Sequence, residues 1–283
     1  MIAPLATCLF VVPLADGAVT LLPRLTLVLC AGVFGALLLR GRGETTTALV
    51  LCSVLTFACM VSSALHLLGR RATGVFVAVA VTIGWFAEQM GDTRGWFFGR
   101  YHYTDVLGPK IGAVPFVIPL MWFALAYIGY VMANLIVRKA PTDEDSTAGE
   151  IFMQSLLGAA LITAYDLGAD PYMVYVVKAW IMVEKDGGWF GETVQGFVGW
   201  MTVAMAILLL FRAMVRRVAP VPVTRVTRRD AMLPVLTYAG FMLFQVMLGH
   251  PIETRSIAAF AMGIPVLAAV AGWRQWRVAG AAT

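Results

Sequence analysis

The sequence predicts an all-α fold, a polytopic integral membrane helical bundle of 8–9 transmembrane helices. Two observations carry that prediction. Of the 283 residues, 60% are hydrophobic and only 13% charged, where soluble domains sit near a quarter charged. Apolar runs long enough to cross a bilayer also recur along the whole chain. Hydrocarbon offers no hydrogen bonds, so each run must satisfy its own backbone, as a helix does.

Taken in order, the expected spans are 4–22, 25–39, 45–69, 72–91, 113–137, 150–168, 192–214, 231–249 and 257–273. The first two are interrupted by Pro13, Asp16 and Pro23, so eight spans is the alternative count. The N-terminal segment lacks the basic region of a signal peptide, so it is expected to stay as a span. The fourth span ends in "GWFAEQMGD", and a polar connection, 92–112, follows it. Pro171 is expected to stop the sixth span. After it, "VVKAWIMVEKDGG" reads as an amphipathic stretch in the interface plane. Neither an internal repeat nor a domain boundary is visible, so residues 1–283 are expected to form a single transmembrane domain, with a motif-bearing core at about 84–200.

Charge adds topology. Thirteen basic residues fall on the side that holds the C-terminus and eight on the other, which favours a cytoplasmic C-terminus. By span parity, 92–112, 169–191 and 250–256 share one face, opposite 138–149 and 215–230. The acidic loop "PTDEDSTAGE" reads as solvated chain, and "RRVAPVPVTRVTRR" as a juxtamembrane anchor. A net charge of +5 in such a chain marks loops rather than a nucleic-acid partner. The four cysteines, Cys8, Cys30, Cys52 and Cys59, lie in apolar runs without a CxxC pair and read as small buried side chains.

The candidate chemistry gathers in the polar connections. Glu88 and Asp92 are four apart and share a helix face, with Gly84 one turn earlier. A carboxylate in or near hydrocarbon is costly and marks function by default. "GRYHYTD" then packs Arg100, Tyr101, His102, Tyr103 and Asp105 into a few residues. An interfacial aromatic belt explains Trp96, Phe97 and Phe98 but not that polar knot. Asp166 and Asp170 again share a face at i, i+4. Aromatic walls are expected from Trp85, Trp122, Trp189, Phe190 and Trp200, with Gln195 pointing into the seventh span. These residues form the expected site: Glu88, Asp166, Asp92, Asp105 and His102 as catalytic candidates, the rest as binding surface.

Several chemistries find no motif. The three histidines form no HxxxH pair, so no metal is expected. There is no P-loop, no GxGxxG and no GxSxG. The DxxxD at Asp166 and Asp170 lacks the second Asp-rich motif of an intramembrane prenyltransferase.

Three ordered motifs, "GWFAEQMGDTRGWFFGRYHYTDVLGPKIGAVPFVIPLMW", "AYDLGADPYMV" and "GGWFGETVQGFVGW", resemble the carotenoid biosynthesis membrane family that includes carotenoid 1,2-hydratases and bisanhydrobacterioruberin hydratases. The resemblance covers residues 84–200; in the third motif, Glu192 and Gln195 stand where the family pattern has a Pro-containing, Asn-bearing stretch. It implies addition of water to an end-group C=C of a linear carotenoid, without a redox cofactor. The expected partners are then a carotenoid or related isoprenoid lipid, water and the membrane. Such an alkene must be protonated to a tertiary carbocation that water captures, which calls for a shielded carboxylic acid and π-faces. Glu88 or Asp166, deepest in their spans, are the expected donors. The alternatives are another isoprenoid-modifying enzyme, a transferase or cyclase, or a non-enzymatic transporter or assembly protein.

Overall fold

The computed structural model describes residues 16–143, 146–183, 187–215 and 223–276, with side chains from residue 21 onward. Among the described residues, eight helical segments are long and apolar enough to cross a membrane, the first Leu21–Arg40 and the last Glu253–Gln275. The expected first span, 4–22, lies mostly outside the described residues, and so do Cys8 and Pro13. The helix that follows, α1 (Asp16–Arg40), runs straight through Pro23 instead of breaking there. Membrane helices tolerate a proline where neighbouring groups or a local adjustment of the helix satisfy the carbonyl that it frees.

Next come α2 (Thr46–Leu67), capped by the Thr45 side chain, and α3 (Gly69–Arg94), which ends at Gly95 in the left-handed conformation. Helix α4 (Val117–Arg138) is the centre of the bundle: every residue from Trp122 to Leu135 is buried. It packs against α2, α3, α5, α7 and α9. Helix α5 (Ala148–Tyr172) opens with a Thr147–Glu150 capping box. It passes through Pro171 and runs on as a π-turn, Met173–Val177, rather than stopping at the proline. Pro171 has no N–H to give to the Leu167 carbonyl. The Trp189 indole takes its place, donating Nε1–H to Leu167 O at 3.0 Å. Helices α6 (Val194–Met214) and α7 (Arg225–Leu248) follow, and the last span is two short helices, α8 (Glu253–Ala261) and α9 (Gly263–Gln275).

Two small sheets cap one end. Strand β1 (Tyr101–Tyr103) pairs antiparallel with β4 (Trp180–Met182), and β2 (Lys110–Ile111) with β3 (Val114–Pro115). Of the stretch expected to lie amphipathically in the interface, Val176 and Val177 end the π-turn and Trp180–Met182 form a sheet strand, while residues 184–186 lie outside the described residues. The β1–β4 pairing ties the connection after α3 to the one after α5, so both lie at the same end of the bundle. At the opposite end a buried ion pair joins Arg212 of α6 to Asp143, with Gln154 and Asn134 also bonded to the guanidinium at 3.0 and 3.1 Å. The Tyr130 ring lies 4.4 Å beneath it.

Candidate active site

The site begins with an alternation. Side chains along a strand point to opposite faces, and β1 reads buried, exposed, buried: Tyr101 and Tyr103 are 4% and 8% exposed, while the His102 side chain is 68% exposed. Asp92 fixes this orientation. It accepts the Tyr103 backbone N–H at 2.9 Å, and its other oxygen lies 3.5 Å from His102 Nδ1. Lys110 Nζ donates to Tyr103 O at 2.8 Å. One turn back on α3, Glu88 is buried and collects the inward groups. It accepts from the Tyr101 hydroxyl, from the Tyr103 hydroxyl at 2.7 Å and from Trp122 Nε1 at 2.8 Å. Burial, and then the Glu88 carboxyl beside them, push both phenols well above their ordinary range, so they stay protonated and donate.

The facing wall comes from α5, β4 and the turn before α6. Asp170 accepts Trp180 Nε1–H at 2.8 Å, and its carboxyl is hydrogen-bonded to that of Glu192. Glu192 is only 4% exposed. Burial, with Asp166 and Asp170 close by, pushes its carboxyl up to about 12 from an ordinary 4.5. Glu192 therefore holds its proton at neutral pH and donates it to Asp170. Asp166, one turn deeper on α5, is 1% exposed, and its Oδ2 has no hydrogen-bond partner among the described residues. Glu88, Asp166, Asp170 and Glu192 sit close enough to interact electrostatically.

These groups bound two cavities. The inner one has a volume of about 40 Å³ and is lined by Glu88, Phe98, Tyr101, Tyr103, Asp170, Trp180, Met182, Glu192 and Trp200, none of them basic. The outer one, about 330 Å³, shares Asp170, Trp180, Met182 and Glu192 with it and adds Val174, Tyr175, Lys178, Ile181, Phe190 and Gly191. Tyr175, Lys178 and Ile181 are exposed, so the outer cavity opens to the surface there. Ring faces surround the inner one: Trp122 stacks on Trp200 at 4.5 Å, and Trp180 meets Tyr103 edge to face at 5.8 Å.

The structure brings Glu88, Tyr101, Tyr103, Asp170 and Trp200 of the expected set to the inner cavity, with Trp122 bonded to Glu88 behind it and Phe190 on the outer one. Others stand elsewhere. The Asp105 side chain is 99% exposed and bridges to Lys110 at 3.1 Å. His102 is the outward member of the strand, and Arg100 is exposed. Trp85 donates to Ile111 O at 3.0 Å, outside both cavities. Trp189 serves the Leu167 carbonyl, and Gln195 Nε2 donates to Gly95 O at 3.1 Å, tying α6 to the end of α3. Asp92 supports β1 rather than facing the cavity. Sequence reasoning missed Glu192, Trp180, Met182 and Phe98, the last assigned to an interfacial belt although it is 6% exposed inside. One signal pointed to Glu192, an acid opening an apolar span in "GETVQGFVGW"; the period-two pattern of "YHY" separates Tyr101 and Tyr103 from His102.

Among the described residues, no group of three or more His, Cys, Asp or Glu side chains is arranged to hold a metal ion. Residues 48–270 match the profile of the carotenoid biosynthesis protein family, and every residue of both cavities falls in that range. The chain belongs to the carotenoid biosynthesis protein family. A segment of 153 residues is 28% identical to bisanhydrobacterioruberin hydratase of Haloarcula japonica, covering 54% of this chain and 48% of that protein. The match thus spans about half the length of that relative. No solved structure matches the chain. The family, with eight helices among the described residues long and apolar enough to cross a membrane, places the two cavities in an integral membrane protein of carotenoid biosynthesis.

Proposed function

We propose that this family member is a membrane-embedded hydratase that adds water to an end-group C=C of a linear carotenoid, with no cofactor, and that Glu192 is its acid. The observation that carries the reading is the Glu192–Asp170 pair: a carboxyl group that keeps its proton, buried among aromatic faces, on the wall of an open cavity. An isolated trisubstituted alkene can take a proton only from a group that still carries one at the working pH, and exclusion of water keeps that proton from leaking to solvent. Asp170 holds that acid in place. The cation that results is tertiary, and the rings of Trp180 and Phe190 on the wall of the larger cavity suit a positive charge without bonding to it.

Glu88, expected from sequence as a donor, is surrounded by three donors of its own. That environment suits an acceptor. Asp166 lines neither cavity; it stands beside Asp170 and Glu192 and helps to keep a proton on Glu192. The hydratase name of the Haloarcula relative supports the same reaction class. The topology proposed with it places the C-terminus in the cytoplasm and the two cavities on the opposite face.

The deciding experiment is expression in a host that accumulates acyclic carotenes, followed by mass spectrometry of the pigments. A gain of one water per modified end is expected. Unchanged pigments in cells whose membranes contain the folded protein would sink the reading.

A further inference from the structure

The two cavities differ in what they can hold. A cavity needs about 10–15 Å³ for one water, and an engineered apolar cavity of about 150 Å³ accommodates a benzene ring. The inner cavity, about 40 Å³, takes water but not the branched carbon end of an isoprenoid. Its polar atoms, the Glu88 carboxyl and the Tyr101 and Tyr103 hydroxyls, give a water the several partners it requires. The outer cavity, about 330 Å³, falls in the range of ligand pockets and is walled largely by Val174, Tyr175, Ile181, Met182 and Phe190. Asp170 and Glu192 stand on the wall common to both, whereas Glu88 lines only the inner one.

We infer that the site is divided, the alkene end lying in the outer cavity and the attacking water in the inner one, with Glu88 as the base that takes the water's proton. The inference rests on the hydratase reading and assigns the second half of that reaction. In the first half, the π pair of the C=C takes the Glu192 proton: a C–H bond forms, the Glu192 O–H bond breaks, and the adjacent carbon becomes the tertiary cation. In the second, a water oxygen lone pair forms the C–O bond while that water's O–H bond breaks and its proton goes to Glu88. The product is a tertiary alcohol, and the sum is alkene plus water. Glu88 then holds one extra proton and the Asp170–Glu192 pair lacks one; transfer through water in the inner cavity restores the start. Tyr101, Tyr103 and Trp122 are positioning residues: they orient the Glu88 carboxylate and touch no carbon.

Separating the halves needs a readout of protonation without hydration. The full-length protein, reconstituted in liposomes with an acyclic carotene in D2O, supplies one. A cation that is not captured returns a proton to the Glu192 carboxylate and leaves deuterium on the vinyl carbon. Wild type is expected to yield labelled alcohol. Glu88→Gln keeps the volume and is expected to lower alcohol formation about 10²–10⁴-fold while the recovered carotene still gains vinyl deuterium. Tyr103→Phe should lower it less, again with labelling retained, and guards against a folding defect in the first variant. Glu192→Gln should abolish alcohol and label together. Loss of label in parallel with alcohol in both Glu88→Gln and Tyr103→Phe, or undiminished alcohol in Glu88→Gln, would overturn the division while leaving the hydratase reading intact. Neither alcohol nor label from wild type would overturn the hydratase reading, and the division with it.

Discussion

Replacing Glu192 with glutamine tests the acid directly. The amide is close to the carboxyl in size and can still donate a hydrogen bond to Asp170, so the Asp170 contact survives. What the variant lacks is a proton it can release. Loss of a general acid costs about 10²–10⁴-fold in rate, about 2.7–5.4 kcal/mol of transition-state stabilisation at 1.36 kcal/mol per tenfold. Stability should move the other way. The folded protein holds the Glu192 proton up to about pH 12, whereas the ordinary value is 4.5. A group raised in this way contributes fully below about pH 4.5, and that contribution is lost as pH rises toward 12. The slope has an upper limit of about 1.4 kcal/mol per pH unit. Glu192→Gln removes it, so the variant should lose less thermal stability than wild type between roughly pH 6 and 9. The assay pairs two measurements on the same membranes: conversion of an acyclic carotene, and the fraction of extracted protein that remains monodisperse after heating at each pH. Conversion within tenfold of wild type would refute the assignment of the acid. So would an unchanged pH slope of stability, because the proton would then reside elsewhere.

The other predictions follow from contacts. A Cβ on Gly84 would lie 2.6 Å from Trp122 Cγ, so Gly84→Ala should displace the indole from Glu88, lower conversion and cost about 1–3 kcal/mol of stability, read by heat challenge. A Cβ on Gly196 would meet Glu192 Oε1 at 2.7 Å; Gly196→Ala should therefore reduce conversion with little loss of folded protein. His102→Gln and Asp105→Asn, both on outward-facing side chains, should leave conversion and its pH profile unchanged. Arg212→Ala should cost about 3–5 kcal/mol by leaving Asp143 buried without its partner, yet keep the turnover of each folded molecule.

The fold was readable because a membrane span is a property of one contiguous segment: length and hydropathy decide it without reference to the rest of the chain. What that reading got wrong were the prolines. Pro171 was expected to end a helix, but a carbonyl freed by proline is satisfied by any donor nearby, and Trp189 lies 22 residues along the chain. The site shows the same limit. The i, i+4 spacing of Glu88 with Asp92 and of Asp166 with Asp170 follows from a single helix and was visible. Their division into inward and supporting roles was not, because it depends on β1 pairing with a strand some 80 residues on. Once that pairing exists, the period-two alternation of Tyr101, His102 and Tyr103 decides which side chains point inward. Glu192 escaped notice because its partner, Asp170, belongs to a different helix.

A cluster of four carboxyl groups with no basic side chain lining its inner cavity is hard to reconcile with structural support alone. The protein already contains the structural solution, at its other end, where Asp143 is matched by Arg212. Unmatched carboxylates at such spacing repel strongly in a poorly polarisable surround, and the way to relieve that repulsion without a cation is to keep protons in the cluster. Burying Glu192 beside Asp166 and Asp170 therefore makes a proton reservoir. The tyrosines complete the arrangement by giving one member, Glu88, neutral donors in place of a counter-ion. Protonated and hydrogen-bonded carboxyls then face each other across a space sized for water, and the repulsion that would make four ionised groups untenable is what keeps a proton in the cluster.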